Sequence, residues 1–254
     1  MVGKGGSGKS VIAGTIARVL AKRGERVLAL DSDPIPGMAI SLGLGPLTDA
    51  MLIEASEKNE EGRWKLKKGV GAARAVQRYS VIGPDGVRLL QFGKAGLDGL
   101  NPVMGSVNAF YAVVHRLART GVLRDWSVVG DLPAGPRQAA FDWAPYADTF
   151  LVVAEPGWQS ILTARRVARI AGSRPDVRVL ILANKVREPG DAELIADRIG
   201  KPVFASVPAD PAVASADRAG VALIDHAPTS DAVIAIESLV DRLDGRTVQA
   251  VNAR

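Results

Sequence analysis

The chain begins with glycines, lysines and serines whose spacing suits phosphate binding. Residues Gly3 to Ser10 fit the pattern G-x-x-x-x-G-K-[S/T] and lead directly into a helical pattern. Glycines let consecutive backbone N–H groups point at one anion, and a helix that begins near Lys9 adds the positive end of its dipole. The Lys9 ammonium group suits the β- and γ-phosphates, and the Ser10 hydroxyl suits Mg²⁺. The segment predicts an ATP site with phosphates on the N–H groups of Gly5, Gly6, Ser7, Gly8, Lys9, Ser10 and Val11.

Two acidic segments follow runs that are typical of buried strands. The first is Asp31-Ser32-Asp33-Pro34, and the second runs from Asp131 to Gly135 as Asp-Leu-Pro-Ala-Gly. Carboxylates at strand ends beside a phosphate loop suit magnesium and an attacking water. A lone aspartate at a strand end can equally cap the next helix. For Asp31, a position near magnesium and simple capping are equally open at this point.

Short aliphatic runs alternate with longer helical patterns, and these elements would position the motifs. We predict strands over residues 26–31, 87–92, 126–131, 149–154, 177–183 and 202–207. We predict helices over residues 9–23, 107–120, 160–171, 191–199 and 231–243. Most of the strands are apolar throughout, as expected where helices cover both faces of a parallel sheet. The prediction is one α/β domain over residues 1–254, with a doubly wound, mostly parallel sheet and ligands beyond the carboxyl ends of its strands.

The phosphate loop lies close to the start of the sequence. Such a loop normally follows a buried strand, yet only Met1 and Val2 precede its glycines. Either the first strand is very short, or the native start lies upstream of Met1. We favour the upstream start, which the intact mass of the natively expressed protein would test.

Composition narrows the class of protein. The 254 residues include no cysteine, which excludes disulfides and thiolate metal sites and fits a reducing cytosol. No run approaches the ~20 apolar residues of a membrane span, so we expect a cytoplasmic protein without membrane insertion.

The net charge is +5, and the densest basic stretch runs from Arg63 to Arg78. We favour a solvated helix face for that stretch over a surface for an acidic partner, phosphate or DNA.

Together these motifs resemble the deviant Walker A ATPases of the MinD, ParA and nitrogenase iron-protein class, which are P-loop NTPases. The distinguishing residue is Lys4, the first lysine of Lys-Gly-Gly-Ser-Gly-Lys-Ser. The resemblance implies that Lys4 reaches the nucleotide of the opposite subunit in an ATP-dependent homodimer. The two acidic segments resemble switch I and switch II of the class. On that basis Asp33 orients or deprotonates the attacking water, and Asp131 holds magnesium.

The resemblance continues in the second half of the chain. Asn184 and Lys185 resemble the element that reads adenine, and the loop that includes Pro208 and Asp210 resembles the one that packs on the base. Catalysis is thereby assigned to Lys4, Lys9 and Asp33. Metal binding is assigned to Ser10, Asp33 and Asp131. The expected cofactors are ATP and Mg²⁺, with nucleotide contacts from residues 5–11 and from Asn184, Lys185, Pro208 and Asp210.

Within this class, several segments resemble the CooC-type ATPases that help mature nickel-containing carbon monoxide dehydrogenase. They are residues 62–69, 86–94, 155–156, 208–211 and 216–217. CooC-type proteins carry a Cys-x-Cys pair ahead of the middle helix, associated with metal binding between two subunits. The comparable residues 101–108 contain no cysteine, and the isolated His115 and His226 offer no substitute pair. Direct nickel delivery by this chain is therefore not expected.

The resemblance leaves competing functions. We favour an accessory or maturation ATPase that acts on a client enzyme, and the resemblance to CooC implies a metalloenzyme as that client. The alternative is a positioning ATPase that binds DNA or a membrane-associated partner. The polar, glycine-interrupted tail at residues 243–254 argues against membrane binding, and DNA binding is possible but less favoured. A small-molecule phosphotransferase is a third reading, without a recognisable acceptor site.

Overall fold

The structure is a computed structural model that describes residues 1–33, 37–47, 51–91, 100–136 and 143–245, with the backbone alone at residues 51, 53 and 100–104. Residue 92 of one predicted strand and residues 246–254 of the tail therefore lie outside the described residues. In chain order the strands are β1 (Val2–Gly3), β2 (Val27–Asp31), β3 (Ser56–Lys58), β4 (Trp64–Leu66), β5 (Val81–Ile82), β6 (Arg88–Gln91), β7 (Ser127–Asp131), β8 (Thr149–Ala154), β9 (Arg178–Val186) and β10 (Val203–Pro208).

The strands form two four-stranded sheets, in the orders β1-β8-β9-β10 and β5-β6-β2-β7. Pairing is parallel except between β5 and β6. The two sheets meet where the amide of Leu132 donates to the carbonyl of Met1 at 3.1 Å. The strands that precede the three motifs, β1, β2 and β7, are therefore neighbours, and their carboxyl ends share one edge. β3 and β4 form a separate antiparallel hairpin.

Helices cover both faces of the sheet. They are α1 (Lys9–Lys22), α2 (Met38–Ser41), α3 (Ala72–Tyr79), α4 (Leu100–Arg119), α5 (Trp158–Ala171), α6 (Asp191–Ile199), α7 (Pro211–Ala219), α8 (Leu223–His226) and α9 (Asp231–Leu243). No helix in the described part of the chain combines the length and the apolar character that crossing a membrane requires.

Strand β8 shows why the sheet is doubly covered. Leu151 and Val153 pack into the core that α1 and α9 share, whereas Val152 and Ala154 pack into the core with α5 and α6. Alternate side chains of a strand point to opposite faces, so an all-apolar strand needs a helical layer on each side. The predicted α/β fold with a mostly parallel sheet is confirmed.

The first strand is very short in this structure. β1 contains two residues and pairs with β8, where Val2 lies opposite Val152. Beside Met1, residues of β7 and β8 line a cavity of about 750 Å³. A start upstream of Met1 stays a prediction.

Candidate functional site

The phosphate loop turns at a glycine whose backbone conformation disfavours other residues. Gly8 precedes α1 with φ of 89°, in the left-handed region that favours glycine. A Cβ atom at Gly8 would lie 2.3 Å from the side-chain nitrogen of Asn184, so this side chain would have to move. Glycine is therefore the favoured residue at this turn. The loop can therefore turn sharply from β1 into α1 against the end of β9.

The start of α1 offers unpaired N–H groups. No side chain caps this helix, and its first turn contains no acidic residue. The amides of Lys9, Ser10 and Val11 have no hydrogen-bond acceptor among the described residues, while Ile12 makes the first helical bond, to the carbonyl of Gly8. Orphan amides at the positive end of a helix dipole form an anion site. The start of α1 therefore offers an anion site, and the phosphate contacts of residues 5–11 stay a prediction.

Two lysines lie at this loop in different environments. Lys9 is buried, with 6% of its surface exposed, and its ammonium group donates to the carbonyl of Lys4 at 3.1 Å. Lys4 is only half-buried, and its own ammonium group has no partner within the described part of the chain. The Lys9 charge therefore lies inside the loop, whereas the Lys4 side chain is free to reach another molecule.

Two buried aspartates face each other at the ends of neighbouring strands. Asp31 of β2 and Asp131 of β7 are paired in register, and both are almost fully buried. Burial, together with the nearby charge of Asp131, raises the pKa of Asp31 to about 7. Burial also raises the pKa of Asp131, against the opposing effects of its hydrogen bond from Ser10 and the charge of Lys9. The two carboxyls thus lie side by side at the phosphate edge, where burial disfavours ionisation of both at once.

The side chain of Asp31 caps the following segment. One carboxylate oxygen accepts from the amide of Asp33, and the other accepts from the amide of Met38, the first residue of α2, both at 3.0 Å. Capping is therefore observed, and the register with Asp131 also places Asp31 beside the expected metal site. Residues 34–36 of the predicted switch I lie outside the described residues. Switch II contacts the loop directly, because the amide of Gly135 donates to the carbonyl of Gly3 at 3.0 Å.

The residues around Asp131 fit a divalent cation. Its Oδ2 accepts from the Ser10 hydroxyl at 2.5 Å, while its buried Oδ1 has no hydrogen-bond partner among the described residues. A hydroxyl and a carboxylate beside a phosphate cradle are the donor set that Mg²⁺ takes when it also binds phosphates. No cluster of three or more His, Cys, Asp or Glu residues in the described ranges forms a metal cage. The donor set therefore suits a cation that arrives with its nucleotide.

The end of β9 supports the loop from its other side. The side-chain amide of Asn184 donates to the carbonyl of Ser7 at 2.7 Å, and the Lys185 ammonium group donates to the carbonyl of Gly6 at 2.8 Å. Lys185 adopts φ of 58° and also forms an ion pair with Glu155. Both side chains that were predicted to read adenine therefore hold the phosphate loop in this structure.

Beyond Asn184 lies a second cavity, of about 840 Å³, which reaches from the phosphate loop to the loop after β10. Pro208 and Asp210 line it, as expected for a base pocket. The carboxylate of Asp210 is already bonded: it accepts from the amides of Ala212 at 2.8 Å and Ala232 at 3.0 Å. Asp210 thus joins the starts of α7 and α9, which line the cavity, and shapes the pocket through them.

Other residues lie apart from this site or were missed. His115 stacks on Tyr111, with ring centroids 4.3 Å apart, and His226 lies 3.0 Å from the Ser215 hydroxyl, so neither joins the site. Tyr146 is half-buried, its hydroxyl is buried without a hydrogen-bond partner among the described residues, and a Cβ at Gly130 would lie 2.2 Å from that hydroxyl. Burial and the charge of Asp131 raise its pKa. No local motif marks Tyr146, because its proximity to the aspartates arises from the tertiary fold.

Comparisons with known proteins agree with this geometry. Residues 1–224 match the family model described as the CobQ/CobB/MinD/ParA nucleotide binding domain. The carbon monoxide dehydrogenase accessory protein CooC of Rhodospirillum rubrum is 29% identical over 243 residues, covering 90% of this chain and 89% of that protein. The light-independent protochlorophyllide reductase iron-sulfur ATP-binding protein of Rubrivivax gelatinosus is 27% identical over 215 residues, covering 82% and 66%. The septum site-determining protein MinD of Pyrococcus horikoshii, solved with Mg-ADP, shares the fold with a TM-score of 0.70 at 18% identity, covering 96% and 93%.

Proposed function

Because the chain belongs to the CobQ/CobB/MinD/ParA nucleotide binding domain family, we propose that it is a magnesium-dependent ATPase that works as a nucleotide-driven dimeric switch. One observation carries the proposal: the uncapped start of α1, the buried Lys9 and the Ser10–Asp131 pair meet at one edge of the sheet. Each of these features suits a different part of a magnesium–triphosphate group.

The chain's own groups divide the chemistry between them. The amides at the start of α1 bind the phosphate oxygens, and Lys9 places a positive charge between the β- and γ-phosphates. Ser10 and Asp131 would hold the magnesium, and Asp33 is a third candidate ligand. Bound magnesium would neutralise negative charge on the transferring phosphoryl group. Catalysis then consists mainly of positioning and electrostatic stabilisation.

Asp33 is the proposed group for the attacking water. It follows β2 directly, and its backbone amide is fixed by the Asp31 carboxylate. Its side chain orients the water or accepts a proton from it as the water attacks the γ-phosphorus and the bond to the β–γ bridging oxygen breaks. The proton and phosphate leave with the products, and ADP remains on the loop.

Lys4 is proposed to complete the site of a second subunit. The Lys4 ammonium group has no partner in the described part of the chain. In contrast, the ammonium groups of Lys9 and Lys185 both donate to carbonyls of the phosphate loop, in which Lys4 lies. A complete site then exists only in the dimer. Hydrolysis loosens that dimer. The contacts of Asp31 with Met38 and of Gly135 with Gly3 belong to the two switch segments beside the phosphate loop, and these segments rearrange when the γ-phosphate is lost.

The proposed role is that of a cytoplasmic accessory factor for a client enzyme. Two relatives support it by their names, one an accessory protein of carbon monoxide dehydrogenase and the other the ATP-binding protein of a reductase. This chain has no cysteine to carry nickel or an iron–sulfur cluster. We therefore propose that the protein acts on its client through the nucleotide-driven conformational change of the dimer and not by delivering a metal.

The proposal is tested with Asp33→Ala. This variant should bind MgATP with the wild-type dissociation constant, while phosphate release falls by a factor of about 10²–10⁴, the usual contribution of a positioned base. Phosphate release by the wild type should also stop when EDTA removes magnesium. The exposed Asp197→Ala, on α6 and outside the lining of the base cavity, is the control and should keep the wild-type rate. Wild-type turnover by Asp33→Ala would refute the assignment of the water-activating group.

A further inference from the structure

Two segments of the chain carry positive charge without any negative charge. Residues 66–84 and 100–119 contain no aspartate or glutamate but six basic residues, which we call the basic face: Lys67, Lys68, Arg74, Arg78, Arg116 and Arg119. These six contribute +6, whereas the whole chain carries +5. The basic face therefore has no carboxylate of its own segments to neutralise it.

The fold brings the two segments of the basic face together. Buried residues of α3 and α4, such as Val76 and Val113, share one hydrophobic core, and all six basic residues are exposed. Arg74 donates to the carbonyl of Gly69 at 3.3 Å, and Arg116 donates to the carbonyl of Val70 at 2.8 Å. Two guanidinium groups thus converge on consecutive carbonyls, and each keeps N–H groups for another acceptor.

The neighbouring hairpin shows the opposite arrangement. Its cations are neutralised within the hairpin, where Arg63 pairs with Glu61 and Lys65 pairs with Glu57 at 3.4 Å. Among the described residues, no carboxylate lies within salt-bridge distance of any member of the basic face. Adjacent surfaces therefore differ in whether their positive charge is already paired.

An exposed apolar side chain lies at the sheet edge that follows α3. Ile82 of the edge strand β5 is 59% exposed and lies opposite Arg88 of β6. Nucleic-acid phosphates gain little from an exposed isoleucine, whereas protein interfaces combine apolar contacts with arginine. None of these residues lines the phosphate loop or the base cavity. The surface is thus available independently of nucleotide contacts.

We propose that the basic face, together with Ile82, is the docking surface for an acidic surface of a client protein. Carboxylates of the partner pair with Arg74 and Arg116, whose planar guanidinium groups suit bidentate contact, and an apolar side chain of the partner covers Ile82. The identification of the partner as a client rests on the proposed function. The charge complementarity itself does not depend on ATP hydrolysis.

The test compares two double variants that remove the same charge. The probe is a fluorescent glutamate-rich peptide with one central leucine, and its dissociation constant is measured by anisotropy at low salt. Arg74→Ser/Arg116→Ser should weaken binding about tenfold, whereas Arg63→Ser/Lys65→Ser should change it less than about twofold. Ile82→Ser should weaken peptide binding and leave binding of a labelled DNA duplex unchanged.

Several outcomes would overturn the proposal. They are no peptide binding by the wild type, equal weakening by the two double variants, no effect of Ile82→Ser, or tighter binding of the DNA duplex than of the peptide at matched charge. Lys9→Ala separates this proposal from the ATPase proposal. It should bind the peptide as the wild type does, whether or not it still hydrolyses ATP.

Discussion

The two ends of the nucleotide site are built in opposite ways. At the phosphate end, the amides at the start of α1, the Lys4 ammonium group and Oδ1 of Asp131 have no hydrogen-bond partner among the described residues. At the base end, formed by Asn184, Lys185 and Asp210, the polar groups are already hydrogen-bonded within the protein. The comparison indicates that the phosphate end is complementary to a ligand, whereas the base end fixes the shape of the loop and the pocket.

The difference has an energetic basis. A buried polar atom that lacks a partner costs about 1–3 kcal/mol, so the buried Oδ1 of Asp131 favours binding of a cation or a hydrogen-bond donor. Burial raises the pKa of Asp31, and the charge of Asp131, its neighbour in register, raises it further. A bound cation would pair with Oδ1 and offset the charge of Asp131. Variants at the phosphate end should therefore affect ligand binding and turnover, whereas variants at the base end should act through positioning and stability.

The largest expected effect is that of Lys9→Ala. Removing the buried charge leaves the γ-phosphate without its main protein cation, so phosphate release should fall at least about a hundredfold. ATP binding should weaken in the same variant, as measured by titration calorimetry. Lys22→Ala, an exposed lysine at the other end of α1, is the matched control and should behave as the wild type. Equal losses in both variants would indicate general damage to α1 and would remove the contrast between the two ends.

A smaller effect is expected for Asn184→Ala at the base end. The loop loses the donor to the carbonyl of Ser7, and one buried hydrogen bond corresponds to about a tenfold change in nucleotide affinity. The affinities for ATP and ADP should fall by the same factor, because the hydrogen bond supports the phosphate loop and does not contact the γ-phosphate. A loss confined to ATP would place Asn184 functionally at the phosphate end. Asn59→Ala in the hairpin serves as a control with unchanged affinity.

The smallest effect is expected for Asp210→Asn, and it should appear in stability. The amides of Ala232 and Ala212 hold the pKa of the Asp210 carboxyl below its ordinary value, so the ionised form stabilises the fold. An asparagine keeps one acceptor oxygen of two, so the free energy of unfolding should fall by about 1 kcal/mol at pH 7. The pKa is lowered in the folded state, so this contribution is present above about pH 4 and disappears as pH falls through the folded-state pKa. Urea unfolding at pH 7 and pH 3 measures it, with Asp231→Asn as control. A difference as large at pH 3 as at pH 7 would contradict the capping role.

Much of the phosphate end could be predicted from the sequence, because its groups are local. Gly8, Lys9 and Ser10 are consecutive, and Asp31 and Asp131 each follow an apolar strand. The predicted bounds of β8, α6 and α9 agree with the structure. For α9 the reason is visible in Ser230, whose hydroxyl accepts from the amide of Val233 and starts the helix where the apolar period begins.

The base end could be predicted only in outline. Asp210 caps α9, which starts more than twenty residues later, and Lys185 contacts Gly6, which lies 179 residues earlier. No local sequence pattern encodes either contact. No strand is predicted where the structure has the β3–β4 hairpin. The charged residues Glu57, Lys58 and Lys65 make these segments resemble a solvated helix or loop. The predicted helix starts at residue 107, whereas α4 starts at Leu100. The prediction is late because residues 100–106 include Pro102 and lack a clear apolar period.

The central claim is that a complete ATPase site needs Lys4 from one subunit and Asp33 from the other, and mixing two inactive variants tests it most directly. Lys4→Ala and Asp33→Ala should each lose phosphate release when assayed alone. After equimolar mixing and subunit exchange, half of the dimers are mixed and each contains one complete site, so about a quarter of the wild-type rate should return. A mixture no faster than its separate components, or normal turnover by Lys4→Ala alone, would contradict the two-subunit site.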